Sequence, residues 1–209
     1  MSSGTRLMLV RHGETEWTER GRLHGRLDSP LSAAGRRHSE MTTGRLQGEH
    51  FDALYSSPQG RAMETAAIMG QAIGLTPQPV DGLREGDFGW VEGWPVAKMD
   101  AHSPEPKILK QFVMWLWRMT AEHPDHVGRR LSAAVNRMIE QHPQGRLLVV
   151  THFFVLSIFM AYLVKSEPDS WENYSHWIAC GISEFHLVGD RWQIIHLNDD
   201  HHLQEERQP

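Results

Sequence analysis

In the stretch LMLVRHGETEW the apolar run Leu7 to Val10 leads straight into Arg11, His12, Gly13 and Glu14. Any turn residue can stop a strand, so an arginine, an imidazole and an acid at its tip need another reason. The same residue types recur downstream: Arg61 just beyond YSSPQG, Glu85 in LREGDFGWVEG, and His152 at the end of LLVVTH. Their chemistry is coherent. Two guanidiniums fork onto the oxygens of a phosphoryl group and neutralise its charge more rigidly than lysines would. A neutral imidazole carries a lone pair that can attack phosphorus. A carboxylic acid can protonate the leaving oxygen and, once ionised, take a proton from water.

Such a set works only if the chain folds it into one place. Leu7 to Val10, Ala53 to Tyr55 and Leu147 to Val150 read as short buried strands, each followed by a helical pattern: Ser32 to Leu46, Arg61 to Ile73 and Phe153 to Val164. That alternation predicts a mostly parallel α/β sheet, whose strand ends converge on a common crevice. Arg61 would stand in the first turn of its helix, at an end that favours anions. SEFHLV and RWQIIHL flank Gly189-Asp190 and read as a hairpin at the sheet edge. The segment from about 81 to 128, rich in Trp, Pro and charge, breaks the rhythm. We expect it to be an insertion over the active site, with a helix over Ile108 to Met119 that is apolar nearly all round, in a single domain spanning 1–209.

Composition excludes some partners. A net charge of −5 gives no basic field for a nucleic acid backbone. The longest apolar run, Phe153 to Val164, falls short of the roughly 20 residues a membrane span needs. We expect neither nucleic acid nor membrane as a partner. Cys180 is the only cysteine, which fits a reducing, cytoplasmic setting, as does an N-terminus without a long apolar stretch. A homodimer stays open.

The motifs together resemble the histidine phosphatase superfamily, which includes cofactor-dependent phosphoglycerate mutases and α-ribazole phosphatase-like enzymes. LVRHGETEW, GRLHGRLDSPLSAAG, YSSPQGRAMETA, LREGDFGWVEG, LLVVTH and HLNDDHHL follow the family's order over nearly the whole chain. A single RHG would be weak; the ordered series is specific. The resemblance implies a phosphoglycerate mutase-like three-layer α/β sandwich and chemistry that needs no metal or other cofactor. It also implies His12 as the phosphorylated nucleophile, Arg11 and Arg61 as a phosphate clamp, His152 as a second phosphate ligand and Glu85 as proton donor. Gly13, Thr18, Gly25 and Phe153 fall where the substrate would be contacted.

Departures qualify the match. Thr18 stands where many relatives have Asn, with a hydroxyl of shorter reach. Phe153 and Phe154 follow His152 where relatives usually have glycine, so a backbone N–H could still face phosphate, while the Phe153 ring must enter the core or wall the pocket. The usual Gly-Glu-Ser segment is replaced by HVGRRLSAAV. Asp87 and Glu92 compete with Glu85 as the acid. Fourteen histidines are many, but the tail HLNDDHHL lacks a recognised ligand spacing, so we expect no metal site. Trp115 and Trp117 are expected to pack. The leading function is a metal-independent phosphomonoester hydrolase acting on a small phosphorylated metabolite, with an apolar leaving group favoured by Phe153 and the tryptophans. A mutase-like phosphotransferase and a non-catalytic phospho-ligand or partner-binding protein are the alternatives.

Overall fold

A computed structural model describes residues 4–98, 107–163 and 176–206. The strands are β1 (Arg6–Arg11), β2 (Ala53–Ser56), β3 (Gln78–Pro79), β4 (Arg146–Thr151), β5 (Ile182–Val188) and β6 (Arg191–Asp199). The helices are α1 (Glu16–Glu19), α2 (Ala33–Leu46), α3 (Gly60–Ile73), α4 (Lys107–Thr120), α5 (Pro124–Gln141) and α6 (Phe153–Leu163). One sheet runs β3-β2-β4-β1-β5-β6. Its first four strands are parallel, and β5 and β6 are antiparallel, the latter at the edge.

Period-two alternation builds the layers. Leu7 and Leu9 of β1, Leu147 and Val149 of β4, and Ala53 and Tyr55 of β2 point to one face, where α5 and α6 supply Leu131, Val135, Phe154 and Ile158. The intervening Met8, Val10, Leu148, Val150 and Leu54 point to the other, against Leu46 of α2 and Ala62, Ala66 and Met69 of α3. The result is a three-layer sandwich. The apolar strands are continuous runs because both faces are covered.

The 81–128 segment contributes to the core at several points. Leu83, Val91 and Val127 are fully buried, and α5 already starts at Pro124, inside the expected boundary. Short 3-10 turns at Asp81–Leu83, Gly89–Val91 and Val96–Lys98 carry the chain toward α4. Residues 99–106 lie outside the described residues, as does Val164 at the expected end of α6. The packing expected of Trp115 is not found: the ring is 56% exposed and stacks on exposed Phe112, while Trp117 is half-buried. α4 is amphipathic rather than apolar all round, and Phe112, Trp115 and Met119 on it stand exposed. Among the described residues, no helix is long and apolar enough to cross a membrane.

Candidate active site

The parallel strands bring the site together at their carboxyl ends. Arg11 closes β1, Ser57 follows β2, and His152 follows β4. The backbone ladder continues past the strands: His12 N–H donates to Thr151 O at 3.0 Å and Ser57 N–H to Val150 O at 3.0 Å. Two glycines allow the tip of β1 to lie against α2. A Cβ on Gly13 would stand 2.6 Å from Gly35 O, and one on Gly35 would stand 2.0 Å from Glu14 O. Neither contact tolerates a side chain.

His12 is 3% exposed, and its Nδ1 lies 2.8 Å from Gly13 O. A carbonyl only accepts, so Nδ1 carries the hydrogen and Nε2 keeps the lone pair. Arg61 Nε donates to that Nε2 at 3.3 Å. Burial, followed by the nearby Arg61 and Arg11 cations, holds the His12 pKa well below the ordinary histidine value, so the ring is neutral at neutral pH. His152 lies beside it, with ring centroids 5.1 Å apart. It is fully buried and likewise held neutral by burial and Arg61, with Nε2 2.7 Å from Ser57 Oγ and a buried Nδ1 that has no partner among the described residues.

Arg61 is 1% exposed and already well engaged. Its Nη1 donates to Leu27 O and to Asp28 Oδ1, at 3.0 and 2.9 Å, and its Nη2 to Gly25 O at 2.9 Å. With the bond to His12, four of five guanidinium hydrogens have acceptors. The fork is therefore fixed in orientation before any ligand arrives. Arg11 donates to Trp177 O at 2.6 Å, has a buried Nε without a partner among the described residues, and sits over the Phe153 ring at 5.3 Å. Burial lowers its pKa against the pull of Glu85 and Glu14.

Glu85 is 5% exposed. Its Oε1 accepts from Gly86 N–H at 3.0 Å and its Oε2 from Phe154 N–H at 3.3 Å. Those bonds and Arg61 favour the carboxylate, yet burial outweighs them and raises the pKa. The competing acids have other roles: Asp87 accepts from Gly89 N–H, and Glu92 accepts from the N–H groups of Arg26, Leu27 and Phe88.

The structure thus brings Arg11, His12, Gly13, Arg61, Glu85 and His152 into one buried cluster. Gly25 joins through its carbonyl, which accepts from Arg61 and from Gln59 Nε2. The Thr18 hydroxyl instead closes a capping box with Thr15 at the start of α1. Phe153 is half-buried, packed on the core cluster and beneath Arg11, and it is the Phe154 N–H, not that of Phe153, that meets a site carboxyl.

Several neighbours were not among the expected site residues. His24, whose ring centroid is 6.1 Å from that of His12, has Nε2 2.6 Å from Thr15 Oγ1; burial and Arg61 push its pKa down to about 3. Gln59 ties the site together, receiving Glu85 N–H on Oε1 at 2.7 Å. Arg130 donates to the carbonyls of Gly82, Arg84 and Glu85 and pairs with Glu122 at 2.9 Å, bracing the Glu85 loop. His24 and Gln59 lie inside quoted motifs and were findable there. Arg130 occupies the segment in which the expected Gly-Glu-Ser is missing, and only tertiary structure reveals it. Of the tail histidines, His202 bonds Thr42 Oγ1, and no described cluster of three or more His, Cys, Asp or Glu converges as a metal site.

Fold and site together define an α/β enzyme built around a buried imidazole between two arginines. The family model for the histidine phosphatase superfamily, branch 1, matches residues 7–200, and the chain belongs to that superfamily. It is 30% identical over 210 residues to the protein named probable phosphoglycerate mutase GpmB of Yersinia pestis, covering 93% of each chain. It is 25% identical over 199 residues to PhoE of Bacillus subtilis, named an uncharacterized phosphatase, covering 95% of this chain and 97% of that one. The solved structure of Bacillus stearothermophilus YhfR superposes with a TM-score of 0.80 at 27% identity, over 95% of this chain and 99% of that one.

Proposed function

We propose that the chain is a metal-independent phosphomonoester hydrolase that acts through a phosphohistidine on a small phosphorylated metabolite with an apolar leaving group. The observation that carries the reading is the state of His12: neutral, with hydrogen on Nδ1 and the Nε2 lone pair beside Arg61. In the first step the His12 lone pair gives up the Arg61 Nε–H that it accepts here and attacks phosphorus in line, the P–O ester bond breaks, and protonated Glu85 gives its proton to the departing alkoxide. In the second, the Glu85 carboxylate takes a proton from water, the hydroxide attacks phosphorus, and the P–N bond breaks with its electron pair returning to Nε2. Arg11, Arg61 and His152 stabilise the charge on the transferring oxygens throughout. All of these groups belong to one chain, so the reading does not depend on a homodimer. A cytoplasmic location accords with the single buried thiol of Cys180.

The leaving-group preference rests on the rim. Trp17 stands beside His24, with ring centroids 5.6 Å apart, Trp90 and Trp94 pair at 6.1 Å, and Trp90 and Leu27 are 58% and 52% exposed. Each Å² of apolar substrate buried there would contribute roughly 25 cal/mol. A mutase would share every step but return the phosphoryl group to bound product, and the name of the Yersinia relative keeps that reading in view.

The test is a panel of phosphomonoesters assayed with excess chelator, phosphate release and 3-phosphoglycerate isomerisation being read side by side, with rapid quench of labelled substrate. Phosphate release and acid-labile label on His12, both lost in His12→Ala, are expected. Label on no histidine, or dependence on one divalent ion, would overturn the mechanism; isomerisation outrunning release would favour the mutase.

A further inference from the structure

Ser57 stands directly after β2 and is fully buried. Its backbone N–H donates to Val150 O, which fixes it beside β4, the strand that His152 follows. Its Oγ lies 2.7 Å from His152 Nε2 and 3.4 Å from Gln59 Oε1.

His152 is a neutral ring with one hydrogen to place. On Nε2, that hydrogen would go to Ser57 Oγ, and the buried Nδ1 would present a lone pair, which repels a phosphoryl oxygen. On Nδ1, it would make His152 a donor, and Nε2 would accept the serine hydroxyl. The choice therefore lies with the Ser57 proton, which has two acceptors. Gln59 Oε1 is at the limit of hydrogen-bond length and already receives Glu85 N–H at 2.7 Å, whereas His152 Nε2 is close and otherwise unbonded. The short contact takes the proton.

We propose that Ser57 is a positioning residue of this site: by donating its hydroxyl to Nε2, it fixes the hydrogen of His152 on Nδ1, where it donates to a phosphoryl oxygen. Ser57 touches no reacting atom in this role. The role in turnover rests on the phosphomonoesterase reading, but the tautomer and the phosphate contact do not.

Nitrogen-15 NMR of the whole protein labelled at histidine, with His152→Gln to assign the signal, reads the tautomer directly. Nδ1 should appear as the protonated nitrogen and Nε2 as the bare one. Ser57→Ala should move population toward Nε2–H, weaken binding of inorganic phosphate and of orthovanadate about tenfold, and lower kcat/KM by a similar factor, and Ser57→Thr should restore most of each. A wild-type ring protonated on Nε2 overturns the proposal, even if Ser57→Ala does not fold. So does a folded Ser57→Ala whose tautomer is unchanged or whose phosphate affinity stays within twofold. Ser57-dependent phosphate binding without hydrolysis of any phosphomonoester would sink the hydrolase reading and leave this one standing.

Discussion

Gly25→Ala is the sharpest test of how the site is held. Gly25 has φ +63°, and a Cβ built on it would lie 2.0 Å from Glu92 Oε1. A carboxylate at the end of a flexible side chain could normally swing away from such a contact at little cost. Here Oε1 accepts from Arg26 N–H at 2.8 Å and Phe88 N–H at 2.9 Å, and Oε2 from Leu27 N–H at 2.8 Å. Displacing Oε1 forfeits at least two hydrogen bonds to a charged acceptor, about 3–6 kcal/mol at roughly 1.5–3 each. The left-handed backbone adds about 1–2 kcal/mol for any residue with a Cβ. Together these would consume a large share of a total stability of about 5–15 kcal/mol. The Gly25 carbonyl also orients Arg61 and Gln59, so whatever enzyme folds should show reduced kcat/KM. Urea unfolding of wild type, Gly25→Ala, Glu92→Ala and the double variant forms a cycle. The glycine substitution should cost several kcal/mol with Glu92 present and only about 1–2 without it. Equal costs in both backgrounds would show that the carboxylate is not what the new methyl group strikes, and the reasoning would fail.

Three further outcomes are expected. Because burial raises the Glu85 pKa, kcat/KM for alkyl phosphates should fall as pH rises through that elevated value; Glu85→Gln should lose about 10²–10⁴ in rate with alkyl phosphates and far less with nitrophenyl phosphate, whose leaving group needs no proton. His12, His24 and His152 all have folded pKa values below the ordinary 6.5, His24 at about 3, so the unfolded chain binds more protons between those values and stability is lost as pH falls below about 6.5; a His24→Gln variant should reduce the slope of unfolding free energy against pH by about one proton. Phe153→Leu removes the ring beneath Arg11, a contact on the order of 0.5–2 kcal/mol, and should raise KM for polar and apolar phosphates by the same factor; a rise for apolar substrates alone would make the ring a pocket wall after all.

The strand ends were legible because both faces of the sheet are covered. Continuous apolar runs such as LMLV and LLVV can then mean only buried parallel strands or helix cores, and polar residues at their ends stand out. Arg11, His12, Arg61 and His152 were visible for that reason, and Glu85 was visible from its motif. Residues that act through another residue were harder to see. Ser57, Asp28 and Arg130 are ordinary turn or helix residues in sequence, and their relation to His152, Arg61 and Glu85 arises from contacts across 95, 33 and 45 positions. Phe153 shows a third case: the sequence offers core or pocket, and the ring takes a place between them because a guanidinium covers its face.

One physical cause sets opposite protonation states side by side. Desolvation disfavours whichever form is charged, so it strips the proton from a buried base and keeps it on a buried acid. Around His12 and His152 the Arg61 cation reinforces that effect, and both rings stay neutral. At Glu85 the same cation opposes it, together with two backbone N–H groups, and burial still prevails. On the proposed mechanism, that one cause favours both the lone pair needed for attack and the proton needed by the leaving group, without either residue bonding the other. The arrangement also explains why Asp28, the carboxylate that pairs with Arg61, is placed at the periphery with its side chain 37% exposed. A carboxylate buried among the histidines would favour the imidazolium form, whereas one at the edge can orient the guanidinium with less effect on the rings.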